Sequence, residues 1–263
     1  MNIIVLMKQT PDTAQLSGTV DGFKLSEYGG PRIVNPWDEY AIETAIQMRE
    51  THDGKVTVLC MGKEEAKDAL KTALAMGVDE AVLISDPAME GSDSLATAHI
   101  LVAAIRKTGD FDILIGGRAA IDGNMSATAV QVAALLDIPQ ISYVADLIEV
   151  NPDAKTIKAV RLLEKARETV TSTLPAMITV VKEINEPRYP SLIGIRKAAR
   201  AEVPVWNLTD LGLDASEVGL AGSRVTWQVE LPTVREAQVE IIEGPPAEAA
   251  KKLIDRLLEE KVI

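Results

Sequence analysis

The sequence predicts an α/β protein: a doubly wound, mostly parallel sheet flanked by helices, with an antiparallel extension and a C-terminal arm ending in a helix. Two observations carry this. Short β-branched runs alternate with Ala-rich amphipathic stretches through the first half, the pattern of strands buried on both faces and joined by crossover helices. Hydrophobic residues reach 47% while aromatics make up only 3%. The core must therefore be built from Ala, Val, Ile and Leu, which suits a sheet sandwiched between Ala-rich helices.

Strands are expected at Ile3–Met7, Lys55–Met61, Ala81–Ile84 and Asp112–Gly116. Between and after them, helices are expected at Asp38–Thr51, Glu64–Met76, Ser94–Lys107 and Asn124–Leu136. Pro36 stands where a first helical turn tolerates proline, and Gly77 where a helix wants a left-handed stop. After Pro139 the pattern changes. Ile141–Val150, Ile157–Leu163 and Thr169–Ser172 read as antiparallel strands, the first two joined by the polar turn from Asn151 to Lys155. Met177–Val181 reads as one more buried strand. Val203 to Pro246 is irregular, and a helix over Ala247–Glu260 closes the chain. Its Ala250, Leu253, Ile254, Leu257 and Leu258 share one stripe, which suits packing on its own domain or on a partner equally well. No repeat of fixed short period is present.

Composition bounds the function. The 263 residues suffice for one large α/β unit with an appended segment. A net charge of -12 argues against nucleic acid or an anionic membrane as main partner, since both would repel the chain. The single cysteine, Cys60, rules out a disulfide within the chain and suggests a reducing compartment. With only His52 and His99 available, metal cages and His-based triads start from a poor inventory, so no catalytic or metal-ligating residue is expected. The apolar run Ile3–Met7 is too short for a signal sequence or a span, and no later stretch approaches span length. A soluble, cytoplasmic protein is the expectation.

Helix N-termini that follow parallel strands gather unpaired N–H groups and positive dipole at the sheet's carboxyl edge, where doubly wound folds bind phosphates. The strand ending at Gly116 leads into Gly117, Arg118, Ala119, Ala120, Ile121, Asp122, Gly123, Asn124, Met125, Ser126, Ala127 and Thr128. Gly117 and Gly123 allow close backbone approach, and Ser126 and Thr128 add hydroxyl donors. A phosphate or pyrophosphate fits there. Asp122 is equally suited to capping the helix, and neither Walker A nor G-x-G-x-x-G is present. Asn35, before Pro36, reads as an N-cap. Gly91 to Thr97 opens another helix on the same edge, with Asp93 as its cap candidate. Lys8, Gln9 and Asp12 either line the cleft mouth or form a turn, while Cys60 and Met61 end a buried strand, where soft side chains pack.

Asn185-Glu186-Pro187-Arg188-Tyr189-Pro190-Ser191-Leu192 is different in kind. Pro187 and Pro190 lower the entropy lost on ordering. Leu192 stands among Arg188, Arg196, Lys197 and Arg200, with no acid between residues 188 and 200. An apolar anchor within a cationic ring suits fast, steered docking of an acidic protein. The alternative is a basic rim for phosphates of the chain's own cofactor.

Lys8-Gln9-Thr10-Pro11-Asp12-Thr13, Asn35-Pro36, Ala73-Leu74-Ala75-Met76-Gly77, Ala120-Ile121-Asp122-Gly123, Leu174-Pro175-Ala176 and Asn185-Glu186-Pro187-Arg188-Tyr189 occur in one order. In that order they resemble the small (beta) subunit of electron-transfer flavoproteins. The resemblance runs from the first strand to about Arg200, and the final helix suits it. One departure is Leu163-Glu164-Lys165-Ala166, where many members carry an acidic Asp-Gly-Gly turn; it puts that hairpin's contacts with the partner subunit in doubt.

The resemblance implies a heterodimer with an alpha subunit that holds one FAD, while the beta subunit binds an adenine nucleotide. That nucleotide is AMP in conventional members and part of a second FAD in electron-bifurcating ones. Matching cofactor positions are Leu6, Asn35, Met61 and Gly117 to Thr128, and Leu192 matches the anchor of the dehydrogenase-recognition loop, with Glu186, Pro187, Arg188, Tyr189, Arg196 and Lys197 around it. A nucleotide-binding domain over 1–202 and an arm over 203–263 that packs on the partner subunit are implied. Because Gly91 to Thr97 resembles the loop of bifurcating and nitrogen-fixation-associated members, FAD is preferred, with Asp93 and Thr97 near its ring. Such a protein takes electrons from NADH and passes them to the alpha-subunit flavin and to a low-potential acceptor such as ferredoxin or flavodoxin, and is not an enzyme as an isolated chain. The conventional alternative docks acyl-CoA-type dehydrogenases around structural AMP. Outside the family, a nucleotide-binding sensor of the same fold competes.

Overall fold

A computed structural model of the chain describes residues 1–15, 30–225 and 239–263. The first two stretches form one compact unit and the last belongs to a second. In chain order the first unit opens with β1 (Asn2–Met7), β2 (Gln9–Pro11), β3 (Arg32–Val34), α1 (Pro36–His52), β4 (Lys55–Met61), α2 (Lys67–Met76) and β5 (Glu80–Ile84). It continues through α3 (Ser94–Thr108), β6 (Ile113–Gly117), α4 (Thr128–Leu136), β7 (Gln140–Asn151), β8 (Thr156–Leu162), β9 (Arg167–Thr173) and β10 (Ala176–Val180). It ends with α5 (Leu192–Arg200), β11 (Val205–Trp206), α6 (Leu208–Leu211) and α7 (Gly219–Gly222), while the second unit holds α8 (Pro246–Glu259).

Among the described residues nine strands form one sheet in the order β11-β5-β4-β1-β6-β10-β7-β8-β9. From β11 to β7 every pairing is parallel, and β8 and β9 extend the edge as the expected antiparallel meander. The alternation of β1 explains why helices cover both faces. Ile3, Val5 and Met7 pack with Ile42 and Ile46 of α1 and Leu70 of α2. Ile4 and Leu6 point to the opposite face, with Ile100 of α3 and Val132 of α4. Since successive side chains of a strand face opposite sides, a strand with no polar residue in its buried run has to be covered twice.

The path of the chain positions the site. From β1 it winds outward through β4 and β5, then returns to place β6 on the other side of β1. The helices that follow β1 and β6 leave toward opposite faces, and the crevice opened at this reversal is where doubly wound sheets bind ligands. Local signals agree with the expected boundaries: Pro36 is in the first turn of α1, and Gly77 ends α2 at φ 126°.

Three features depart from the sequence reading. Helix α4 begins at Thr128, not Asn124, because Asn124 and Ser126 sit at φ 46° and 53°, left-handed values that no helix admits. Leu192 does not lie in a loop; it opens α5, capped by Ser191 Oγ, which accepts from Gly194 N at 2.9 Å. Finally, the first part of the irregular stretch is ordered: β11 pairs with β5, and Asn207 forms a capping box with Asp210 at the start of α6. Residues 226–238 of that stretch lie outside the described residues. Among the described residues no helix is long and apolar enough to cross a membrane.

Candidate functional site

The loops after β1, β4 and β6 meet at the carboxyl edge of the sheet. A cleft of about 260 Å³ opens there, bordered by Lys8, Gln9, Arg32, Met61, Lys63 and Asp122 among others. Its cations are already paired: Lys8 Nζ with Asp122 at 2.7 Å, Arg32 with Glu65 at 3.3 Å and Lys63 with Glu90 at 3.1 Å. The rim is thus close to charge balance. A separate source of attraction for an anion is the N-terminus of α4, which has no side-chain cap.

Polar side chains staple the loop after β6 to the segment around α1. Asn35, at the N-cap position of α1, makes no capping bond. Its amide donates to Ala119 O at 2.8 Å and its oxygen accepts from Ile121 N at 3.1 Å. Asp122 does not cap α4; its carboxylate holds Lys8. Asp38, in the first turn of α1, accepts from Lys8 N at 2.7 Å and from Gly117 N at 3.1 Å. Burial pushes its carboxyl up to about 7, against the lowering effect of those bonds, of a bond from the Asn35 side chain and of the Lys8 charge. Gly117 has to be glycine, because a Cβ there would lie 2.5 Å from Asp38 Oδ1 and 2.6 Å from the Trp37 backbone. Beyond these staples Gly123 is open, with nothing within 4 Å of where its Cβ would stand. Arg118 stacks over Trp37 at 4.3 Å, and its buried Nε has no hydrogen-bond partner. An uncapped helix, an open glycine and an orphaned guanidinium nitrogen together suit a phosphate-bearing ligand.

On the same edge, Asp93 caps α3 through Ala96 N at 2.8 Å. Its second oxygen accepts from Arg224 N at 2.8 Å and Val225 N at 3.1 Å. Burial opposes ionisation, but these backbone donors outweigh it and hold the carboxyl below its ordinary range. Thr97 lies in the first turn of that helix, half-buried. Asp12 takes the turn role, accepting from Ala14 N at 3.1 Å. Cys60 is buried, its thiol pushed up to about 12 chiefly by desolvation, as a packing side chain would be.

The Pro-bounded loop is pinned to α1. Asn185 donates to Tyr40 O at 3.1 Å and to Thr44 Oγ1 at 2.8 Å. Arg188 turns inward and forks between Glu43, at 2.8 Å, and Glu50, at 2.7 Å. The cationic ring expected around Leu192 therefore loses one member to internal pairing, leaving exposed Arg196, Lys197 and Arg200. Tyr189, Leu192 and Ile193 are 94%, 79% and 81% exposed. Helix α5, which carries Leu192 and Ile193, lies tight on α2, since Gly194 abuts the Ala75 carbonyl with no room for a Cβ.

Comparison with known proteins matches residues 22–211 to the electron transfer flavoprotein domain. The electron transfer flavoprotein subunit beta of Clostridium acetobutylicum is 40% identical, covering 100% of both chains. Protein FixA of Azorhizobium caulinodans is 37% identical over 95% of this chain and 92% of its own. The caffeyl-CoA reductase-Etf complex subunit CarD of Acetobacterium woodii is 36% identical over 100% of each. The chain belongs to the electron transfer flavoprotein family, as a beta subunit.

For this electron transfer flavoprotein subunit, the structure places Leu6, Met61 and Gly117 at the ends of the neighbouring strands β1, β4 and β6, with the loop to Thr128 leading on from β6 and Asn35, after β3, bonded to that loop. Asp93 and Thr97 follow β5, one strand further out. Glu186, Pro187, Arg188, Tyr189, Leu192, Arg196 and Lys197 stand apart on and before α5. Sequence reasoning missed Asp38 and Glu43. Asp38 carried a usable signal, an acid in the first turn of the helix after β1. Glu43 looks like any mid-helix glutamate, and only the fold reveals its partner.

Proposed function

We propose that this beta subunit, in a heterodimer with an alpha subunit, holds FAD at the crevice between β1 and β6. There it passes electrons from NADH toward the alpha-subunit flavin and a low-potential acceptor such as ferredoxin or flavodoxin. The uncapped N-terminus of α4 at that crevice is the observation that carries this reading. The Gly123 to Thr128 backbone, with the Ser126 and Thr128 hydroxyls, would hold phosphate, with Arg118 beside it. Leu6 and Met61 would supply the apolar wall that excludes water. FAD supplies the redox chemistry, accepting a hydride as an electron pair and releasing electrons singly. Likeness to the loop of bifurcating members over Gly91 to Thr97, together with the FixA and CarD relatives, supports FAD over AMP. We take Asp93 to act at one remove, by fixing the α3 N-terminus on which Thr97 stands.

One observation favours a second reading. The cleft, about 260 Å³, falls below the range of about 300–1,000 Å³ usual for pockets that enclose a drug-sized ligand, and so suits a mononucleotide. In that reading the subunit binds structural AMP and docks acyl-CoA-type dehydrogenases. Counting nucleotides in the purified heterodimer separates the two. A second FAD per dimer, reducible by NADH, is expected; a single FAD with AMP would overturn the first reading.

The relative named for a caffeyl-CoA reductase complex supports an acyl-CoA-type dehydrogenase as partner. Leu192, on the exposed apolar start of α5, is the proposed anchor. Leu192→Ala is expected to slow electron exchange with that dehydrogenase by about tenfold, a typical hot-spot loss, without changing cofactor content. Loss of nucleotide instead would make this segment a cofactor lid. Within the C-terminal arm, α8 leaves Leu253, Ile254 and Leu258 half exposed, and we assign that stripe to packing on the alpha subunit.

A further inference from the structure

Asp38 makes none of the proposed nucleotide contacts, yet it occupies the position that joins the two halves of the crevice. Its side chain belongs to a residue only 5% exposed, and its two oxygens each accept a backbone N–H from a different strand end, Lys8 after β1 and Gly117 at the end of β6. The two strand ends are joined a second time above it. Lys8 reaches across with Nζ to Asp122, which lies on the loop that Gly117 begins. A closed ring results: Asp38 to Lys8, Lys8 to Asp122, and along the loop back to Gly117 and Asp38.

We propose that Asp38 is a positioning residue of the nucleotide site: its carboxylate sets the separation of the β1 and β6 ends, and thereby places Lys8 and the 117–128 loop for nucleotide binding. This rests on the nucleotide reading given above. The residue type follows from chemistry. The Lys8 and Gly117 amides and the Asn35 side chain all act as N–H donors here, so the position calls for acceptors and no donor, which a carboxylate supplies and an amide does not. Asparagine has the same shape but would turn an NH2 group toward one of the two amides.

Every charged or titratable neighbour fits this role. From β1 the facing group is Lys8, whose charge favours the ionised carboxylate. From β4 it is Cys60, whose thiol feels the Asp38 charge. On the β6 side Arg118 lies over Trp37, and Asp122 reaches Asp38 only through Lys8. Because burial raises the Asp38 carboxyl, opening the clasp to water becomes easier as pH rises toward about 7.

The test uses the heterodimer stripped of nucleotide, with AMP as probe. Asp38→Asn is expected to bind AMP about tenfold more weakly, the loss of one hydrogen bond to a charged group, and to lose the pH dependence of Lys8 and Gly117 amide protection that wild type shows. Unchanged AMP affinity in a folded Asp38→Asn heterodimer would overturn the proposal. Should that variant not fold, hydrogen exchange in wild type decides. Protection of the Lys8 and Gly117 amides, corrected for intrinsic rates, is expected to decrease from about pH 4 to about pH 7, and constant protection would overturn the clasp. A wild-type heterodimer that takes up neither AMP nor FAD would instead overturn the nucleotide reading, while pH-dependent protection of those two amides would persist.

Discussion

Arg188→Ala is expected to destabilise the chain by about 3 kcal/mol, the lower end of the cost of leaving a buried charge without its partner. Glu43 is the reason. Its side chain is 3% exposed, and Arg188 supplies the Nε and Nη2 donors, at 2.8 and 3.0 Å, that make its charge tolerable there. Burial alone would raise the Glu43 carboxyl, but the bonds from Arg188, with one from Gln47, hold it below its ordinary range. The lower end of the cost applies because Arg188 itself is 35% exposed, so water can partly replace it. Lysine would restore only part of the loss, since a point charge cannot fork between Glu43 and Glu50. Adding Glu43→Gln to Arg188→Ala should recover part of the stability by removing the orphaned charge. Denaturant unfolding at neutral pH reads all three, and a loss below about 0.5 kcal/mol for Arg188→Ala, the scatter of ordinary surface substitutions, would contradict the account. Because the Glu43 carboxyl is depressed in the folded chain, its contribution is present above the ordinary glutamate range and is lost as pH falls through the depressed value.

Asp38 should impose the opposite slope. Its carboxyl stands at about 7 in the fold against 3.8 in the unfolded chain. Between those values the folded chain holds a proton that the unfolded chain has released, so stability falls as pH rises from about 4 to about 7. A shift of about three pH units corresponds to roughly 4 kcal/mol, an upper figure because water entry and relaxation soften burial. Asp38→Asn should remove this component, so the difference in unfolding free energy between wild type and variant should change steadily across the window. A pH-independent difference would show that Asp38 does not titrate there. The residue that joins the crevice thus does so at a cost in stability near neutral pH, a pattern of sites kept for function.

The two residues also show how much of the site was legible beforehand. The 117–128 loop could be found because a glycine-rich stretch between a strand and a helix is a local signal. Where α4 would start could not, since the left-handed Asn124 and Ser126 depend on how the loop is stapled from the far side of the crevice. Asn35 and Asp122 were recognised as site residues, while their everyday capping roles proved wrong: each found a better partner far away in sequence, Ala119 for one and Lys8 for the other. For Asp93, whose partner Ala96 is three residues away, the cap assignment was right. The basic cluster near Leu192 was visible as composition, but not that Arg188 faces inward.

What the sequence by itself determined was the alternation of strand and helix, the two covered faces of the sheet, the stop at Gly77 and the family to which the chain is similar. These depend on periodicity and on backbone preferences that act within a few residues. Only the tertiary structure decided which polar groups meet, that Arg188 answers Glu43 across 145 residues and Lys8 answers Asp122 across 114. A charged side chain has no preferred partner until folding removes water and leaves one within reach.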